Sequence, residues 1–151
     1  MPRSYAINAN LTTPNSTTLP VVNVLATAAV RPTMYDIVVG AGTAVADNSA
    51  IFLIQRCSTA GTPAGSTTAP APIDPGDPAS TSTVGYATFT VGPTTGTTLL
   101  RWGQNQRATF RWIAAPGKEL QSPSTAANGL AFMNTAVAAT FIMDWTIWFT
   151  E

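Results

Sequence analysis

The chain predicts an all-β protein, an antiparallel two-sheet β-sandwich of jelly-roll-like type with about eight strands and long Pro/Thr-rich loops. Three observations predict it. About one residue in six of the 151 is threonine, and threonine, with Val and Ile, favours the pleated, half-buried surface of a strand. Twelve prolines and eleven glycines interrupt the chain too often for long helices. Apolar residues recur at every second position in short runs, the period of a strand with one buried face. One domain, 1–151, fits this length. At this size folding buries roughly 68–70% of the surface the unfolded chain exposes, enough for a core without staples.

Residues 4–9 (SYAINA) read as a first short strand. Residues 11–20 (LTTPNSTTLP) have two prolines and no periodicity, so about 1–20 reads as an extended N-terminal segment. Residues 21–26 suit a second strand. In 35–39, Tyr35, Ile37 and Val39 share one face, and Asp36 and Val38 the other. After a turn-rich connection, 51–57 (IFLIQRC) begins apolar on both faces, as a central strand does.

Residues 58–83 hold Pro63, Pro70, Pro72, Pro75 and Pro78, which exclude a helix and nearly exclude a central strand. A connection this long is functional or disordered. The turns at Asp74-Pro-Gly and Asp77-Pro suit an ordered surface loop, with a floppy linker as the alternative. Residues 84–91 and 97–102 flank a Gly-Pro-Thr-Thr-Gly turn and read as a hairpin with a longer loop. In 107–113, Ala108, Phe110 and Trp112 face one way, and Arg107, Thr109 and Arg111 the other. A loop at 116–128 and a short strand at 129–134 follow. The last strand, 139–149, places Phe141, Met143, Trp145, Ile147 and Phe149 on one face, with Ile142 and Trp148 opposite. The Cys–Trp–Cys pattern of an immunoglobulin-like sandwich is missing, and no fixed-period repeat argues for a propeller or solenoid.

Seven basic and seven acidic residues, with one lysine and no histidine, are all the charge the chain has. Charge usually keeps folded surfaces apart, so a surface this neutral suits packing against copies or partners. Without histidine there is no Ser-His or Cys-His pair and no His-based metal site. Nothing in the spacing of the carboxylates singles out the pair a glycosidase needs. Asp74 and Asp77 read as turn-formers, since a calcium site takes six or more oxygens. Cys57, alone at the end of an apolar strand, reads as a buried, inert thiol. No enzyme activity, cofactor or metal is expected. The balance of charge gives no basic excess for nucleic acid. The longest apolar stretch, 137–149, is broken by Thr140, Asp144 and Thr146, so no membrane partner is expected either. No apolar signal segment opens the chain, and the single cysteine fits synthesis in a reducing cytosol.

Arg101, Arg107 and Arg111 are interface candidates, because arginine forks and stacks well at protein surfaces. Solvent-facing strand arginines paired with an aspartate are the plainer reading. Trp148 and Ile142, opposite the aromatic core row, join the interface candidates, as do Asp74 and Asp77 in the long loop.

The stretch MYDIVVGAGTAVADNSAIFLIQRCSTAGT, the TAPAPIDPGDPAST loop and the aromatic last strand ending in Glu resemble the jelly-roll head decoration, or capsid cement, proteins of tailed bacteriophages. The resemblance covers about residues 30–83 and the last strand. It implies a non-enzymatic virion protein on the capsid exterior. Such a protein binds the major capsid protein, bridges capsomers and commonly self-associates as a trimer. The segment at 11–20 and the loop at 58–83 would make the contacts. The alternative is a tail- or fibre-associated receptor module in which Trp102, Trp112 or Trp148 stacks on host glycan.

Overall fold

A computed structural model describes residues 2–12, 16, 18–43, 47–65, 69–86, 89–135 and 142–151. Its strands are β1 (Ser4–Thr12), β2 (Pro20–Leu25), β3 (Thr33–Ala41), β4 (Ser49–Cys57), β5 (Thr62–Pro63), β6 (Ala71–Pro72) and β7 (Thr83–Tyr86). They continue with β8 (Phe89–Val91), β9 (Thr95–Asn105), β10 (Phe110–Ile113), β11 (Leu120–Gln121), β12 (Gly129–Asn134) and β13 (Ile142–Thr150). The first sheet runs β10-β3-β13-β1-β6, with β11 also on β3, and the second runs β7-β2-β12-β4-β9. All pairings are antiparallel: β1 with β13, β2 with β12, β3 with β10 and β4 with β9. Early strands thus pair with late ones in nested order across two sheets, which is the double Greek key of a jelly roll.

Alternation explains which face each strand buries. Ile7 in β1, Ile37 and Val39 in β3, and Trp145 and Ile147 in β13 point into the core from the first sheet. Val22 and Val24, Phe52 and Ile54, and Leu130 and Phe132 meet them from the second. At the β9–β10 side, Trp102 stacks on Phe110 at 4.4 Å and 10° and also touches Phe52 and Phe132, at 5.3 and 5.6 Å. Because β9 and β10 are edge strands of different sheets, this stack closes that flank of the sandwich. Tyr5 stacks on Phe149 at 5.8 Å within the first sheet.

The expected two-sheet architecture is present, and its eight principal strands are β1–β4, β9, β10, β12 and β13. Three local expectations are corrected, and a fourth is described only in part. Residues 11 and 12 continue β1 rather than starting an arm, because all nine residues of β1 pair with β13. The hairpin of 84–91 with 97–102 does not form. Instead β7 pairs β2, β8 pairs β5 and β9 pairs β4. The strand expected at 107–113 is only Phe110–Ile113, and Arg107 lies in the preceding turn. The last strand is Ile142–Thr150, while 139–141 of the expected strand lie outside the described residues.

The long 58–83 loop crosses from one sheet to the other. Its first part lies on the outer face of the second sheet, where Leu25, Cys57, Ala131 and Met133 form a small apolar cluster with Leu53 and Ala60 against it. The buried Asn23 fastens this cover, donating to Ala60 O at 2.6 Å while its own oxygen accepts from Gly85 N at 3.0 Å. Gly61 has φ +69°, and a Cβ there would meet Val91 O at 2.7 Å, so only glycine fits the approach to β8. Farther on, β6 pairs β1 as an edge strand. Pro70 and Pro72 are tolerated there, since an edge strand need not donate on its open side.

Phe132→Ala is expected to cost about 3–5 kcal/mol, because it empties a fully buried site between two aromatic neighbours. Urea denaturation should show a lower midpoint with an unchanged slope, and a loss under 1 kcal/mol would contradict this account of the core.

Candidate functional site on the outer face of the first sheet

All seven carboxylates of the chain are engaged within it. Asp36 takes a bidentate pair from Arg111, Nε to Oδ1 at 3.2 Å and a terminal nitrogen to Oδ2 at 2.7 Å. Asp77 pairs with Arg3 at 3.6 Å. Asp74 accepts from Gly76 N at 2.8 Å and Glu119 from Gly117 N at 3.1 Å. Asp47 and Asp144 accept from the amides of Asn105 and Asn10, both at 2.5 Å. Glu151 accepts from Ser80 Oγ, from Ser82 N at 2.8 Å and from Thr81 N at 3.2 Å. Arg31 and Arg56 donate to the carbonyls of Ser122 and Gln121. Arg101, Arg107 and Lys118 are the cations whose side chains have no partner among the described residues.

The three candidate arginines are not brought together. Arg101 is exposed on the outer face of the second sheet, Arg111 is exposed on the outer face of the first, and Arg107 sits in the turn between their strands. Arg111 matches the plainer reading: its hydrogen bonds to Asp36, and then that carboxylate's charge, push its pKa further above the usual arginine value. Asp74 closes its own turn through Gly76, and Asp77 ties the long loop to the start of β1. Trp148 and Ile142 are both half-buried on the outer face of the first sheet. Six residues separate them, about 20 Å along the strand. Of the tryptophans offered for glycan stacking, Trp102 is 7% exposed inside the aromatic cluster and Trp112 packs on the core. Trp148 is the one whose ring lies on an outer face.

Strand register builds three rows on that face. Asp36, Trp148 and Ala6 are level, as are Val38, Thr146 and Asn8, and then Gly40, Asp144 and Asn10. The last two rows, with Thr109 beside Gly40, line a groove of about 530 Å³. None of Asn8, Asn10, Asp144, Thr109 or Thr146 stands out in the sequence as a site residue. The signal available was the alternation of Asn8 and Asn10 with Ile7 and Ala9, which marks an outward polar face without naming the strand beside it. Among the described residues, no three His, Cys, Asp or Glu side chains gather as a metal site.

Elsewhere, two groups have shifted acidity. Burial pushes the Cys57 thiol up to about 11, and a backbone hydrogen bond to Gly129 only partly offsets it. Burial would also raise Glu151, but the hydrogen bonds from Ser80, Ser82 and Thr81 outweigh it and hold this carboxyl below its ordinary value.

Glu151 is therefore bound better when charged. Its stabilisation is present above the unfolded-state pKa and is lost as the pH falls through the lower folded value. Glu151→Gln should cost about 1 kcal/mol near neutrality, a figure reduced for partial exposure. Between about pH 6 and pH 3 the wild type should lose more stability than the variant in thermal melts; parallel curves would contradict the assignment. With a pKa of about 11, roughly one Cys57 thiol in a thousand is ionised at pH 8. An aromatic disulfide reagent should label it fast only after unfolding, and rapid labelling of the folded chain would count against a buried thiol.

No protein-family model, curated protein or solved structure matches the chain.

Proposed function

We propose that this chain is a non-enzymatic structural protein of a tailed-phage virion that binds the major capsid protein from outside and reinforces contacts between capsomers. The observation that supports this reading best is the disposal of charge. Every carboxylate and four of the seven cations are bound within the chain, most of them where a loop or strand end meets a sheet. The remaining surface is largely neutral and rich in hydroxyl groups. Many copies of such a surface can sit side by side without the mutual repulsion that a charged protein of this size would build up. Repetition over a shell then supplies avidity from contacts that are individually small. Arg101, Arg107 and Lys118 remain as uncommitted donors for carboxylates or carbonyls of a neighbour. The resemblance of residues 30–83 and the last strand to phage cement proteins points the same way.

The protein should co-sediment with purified capsids at a fixed stoichiometry, and cryo-electron microscopy should place its density on their exterior. Light scattering should give three times the 15.7 kDa chain mass, a closed trimer. Arg101→Glu should lower capsid occupancy without lowering the melting temperature. Confinement to tail fractions, or no binding to capsids at all, would overturn the reading.

A further inference from the structure

We propose that the groove on the outer face of the first sheet is a binding site for a neutral saccharide, with Trp148 as the stacking platform beside it. This inference goes beyond capsid reinforcement and does not depend on it.

The groove collects polar groups that the fold leaves unused. Among the described residues, the Asn8 amide and the hydroxyls of Thr109 and Thr146 have no hydrogen-bond partner. The Asn10 amide holds Asp144 through Oδ1 at 2.5 Å, leaving Oδ2 free to accept. Amide, hydroxyl and carboxylate together offer both donors and acceptors on one rigid floor. Vicinal sugar hydroxyls, each a donor and an acceptor, need that mixture.

Charge narrows the ligand class. No Lys or Arg lines the groove, and Arg111, level with its Val38 row, is held by Asp36. An anion would therefore meet Asp144 with no cation in the lining, and no second carboxylate lines the groove to hold a metal ion. An uncharged polyol fits the lining that remains. The groove, at about 530 Å³, falls within the usual range for small-ligand sites.

Gly40 supplies an independent argument. It lies inside β3, where glycine costs about 0.5–1 kcal/mol relative to alanine. A Cβ at this position would meet only Thr109 Oγ1, at an ordinary 3.8 Å, so internal packing does not require glycine here. Its effect is to keep the floor of the groove open, and a glycine inside a strand often marks such a close approach. Trp148 follows Thr146 by two residues on the same face, about 6.6 Å along the strand. Its ring has no aromatic partner among the described residues. That places an apolar plate one step from the hydroxyl-binding rows, where the apolar face of a pyranose ring can lie on it.

The experiment is a screen of the full chain against an array of neutral and anionic glycans, followed by titration of the best ligand by NMR. Wild type, Gly40→Val, Asp144→Ala and Trp148→Ala would be compared. A neutral oligosaccharide should bind, and each variant should weaken it about tenfold or more. Gly40→Val should keep or raise the melting temperature, since it fills the groove with a residue suited to strands. The inference is overturned if no neutral glycan binds, if only anionic glycans bind, or if Gly40→Val folds and binds as the wild type does. Should Gly40→Val fail to fold, the Trp148→Ala titration decides instead. Capsid co-sedimentation is read separately, so either reading can fail alone.

Discussion

The last two strands fill the middle of both sheets, and the rest of the structure depends on that insertion. Strand β13 lies between β1 and β3, and β12 between β2 and β4. Without β13 the first sheet divides into two separate ribbons, and without β12 so does the second. These strands also carry much of the inner surface, Trp145, Ile147 and Phe149 on one side and Leu130 and Phe132 on the other. Their register is therefore strongly specified. A slip by one residue would turn every inward side chain of β13 to the outside and bring Thr146 and Trp148 in. Pairing the first strand with the last closes a loop of nearly the whole chain, a slow step in folding. The paired backbone bonds between Arg3 and Glu151 hold the far end of that ladder.

Charge serves the connections more than the core. Glu151 gathers residues 80–82, Arg3 holds Asp77, and Arg31 reaches the backbone of Ser122. Each such contact is partly exposed and adds little to global stability. Collectively they fix the path of Pro-rich segments that have few apolar side chains to bury. The neutral exterior follows from this use: with so few charged groups, those that fasten loops are not free to repel a neighbour. The two properties that looked separate in the composition, scarce charge and long Pro-rich connections, thus meet in the same contacts.

Much of the fold was legible in the sequence because alternation reports burial directly. The inward row of β13, the two-sided apolar character of β4 and the outward direction of Arg111 and Trp148 all follow from period two. Alternation does not say which strand lies alongside. Residues 84–91 and 97–102 have the pattern of a hairpin, yet each run finds a better partner elsewhere, because β2 and β4 need neighbours on their open edges. Strands β5 and β6 were invisible for another reason. Each is two residues long and carries proline, and their pairing is imposed by the surfaces they lie against. The groove was hidden for the same reason as the pairings. It joins β1, β3 and β13 at a register that only the assembled sheet defines, and its glycine reads in sequence as a strand terminator.

The two outer faces of the sandwich are treated differently, and this asymmetry gives the molecule a direction. On the second sheet, the chain lays its own residues 58–63 over Leu25 and Met133 and fastens them through Asn23. An apolar outer face is thereby covered from within the same chain. On the first sheet, the corresponding face is more polar, its rows setting Asn8, Asn10, Asp144 and Thr146 among Ala6, Val38 and Trp148. Strand β13 holds its middle, paired with β1 on one side and β3 on the other, so its polar groups keep their spacing without help from a ligand. Rigid placement limits the ordering cost of recognition, and loops fastened as these are would not spoil it. We propose on this ground that the open face of the first sheet recognises the saccharide, and that Arg101 and Arg107, uncommitted within the chain, meet a neighbouring protein.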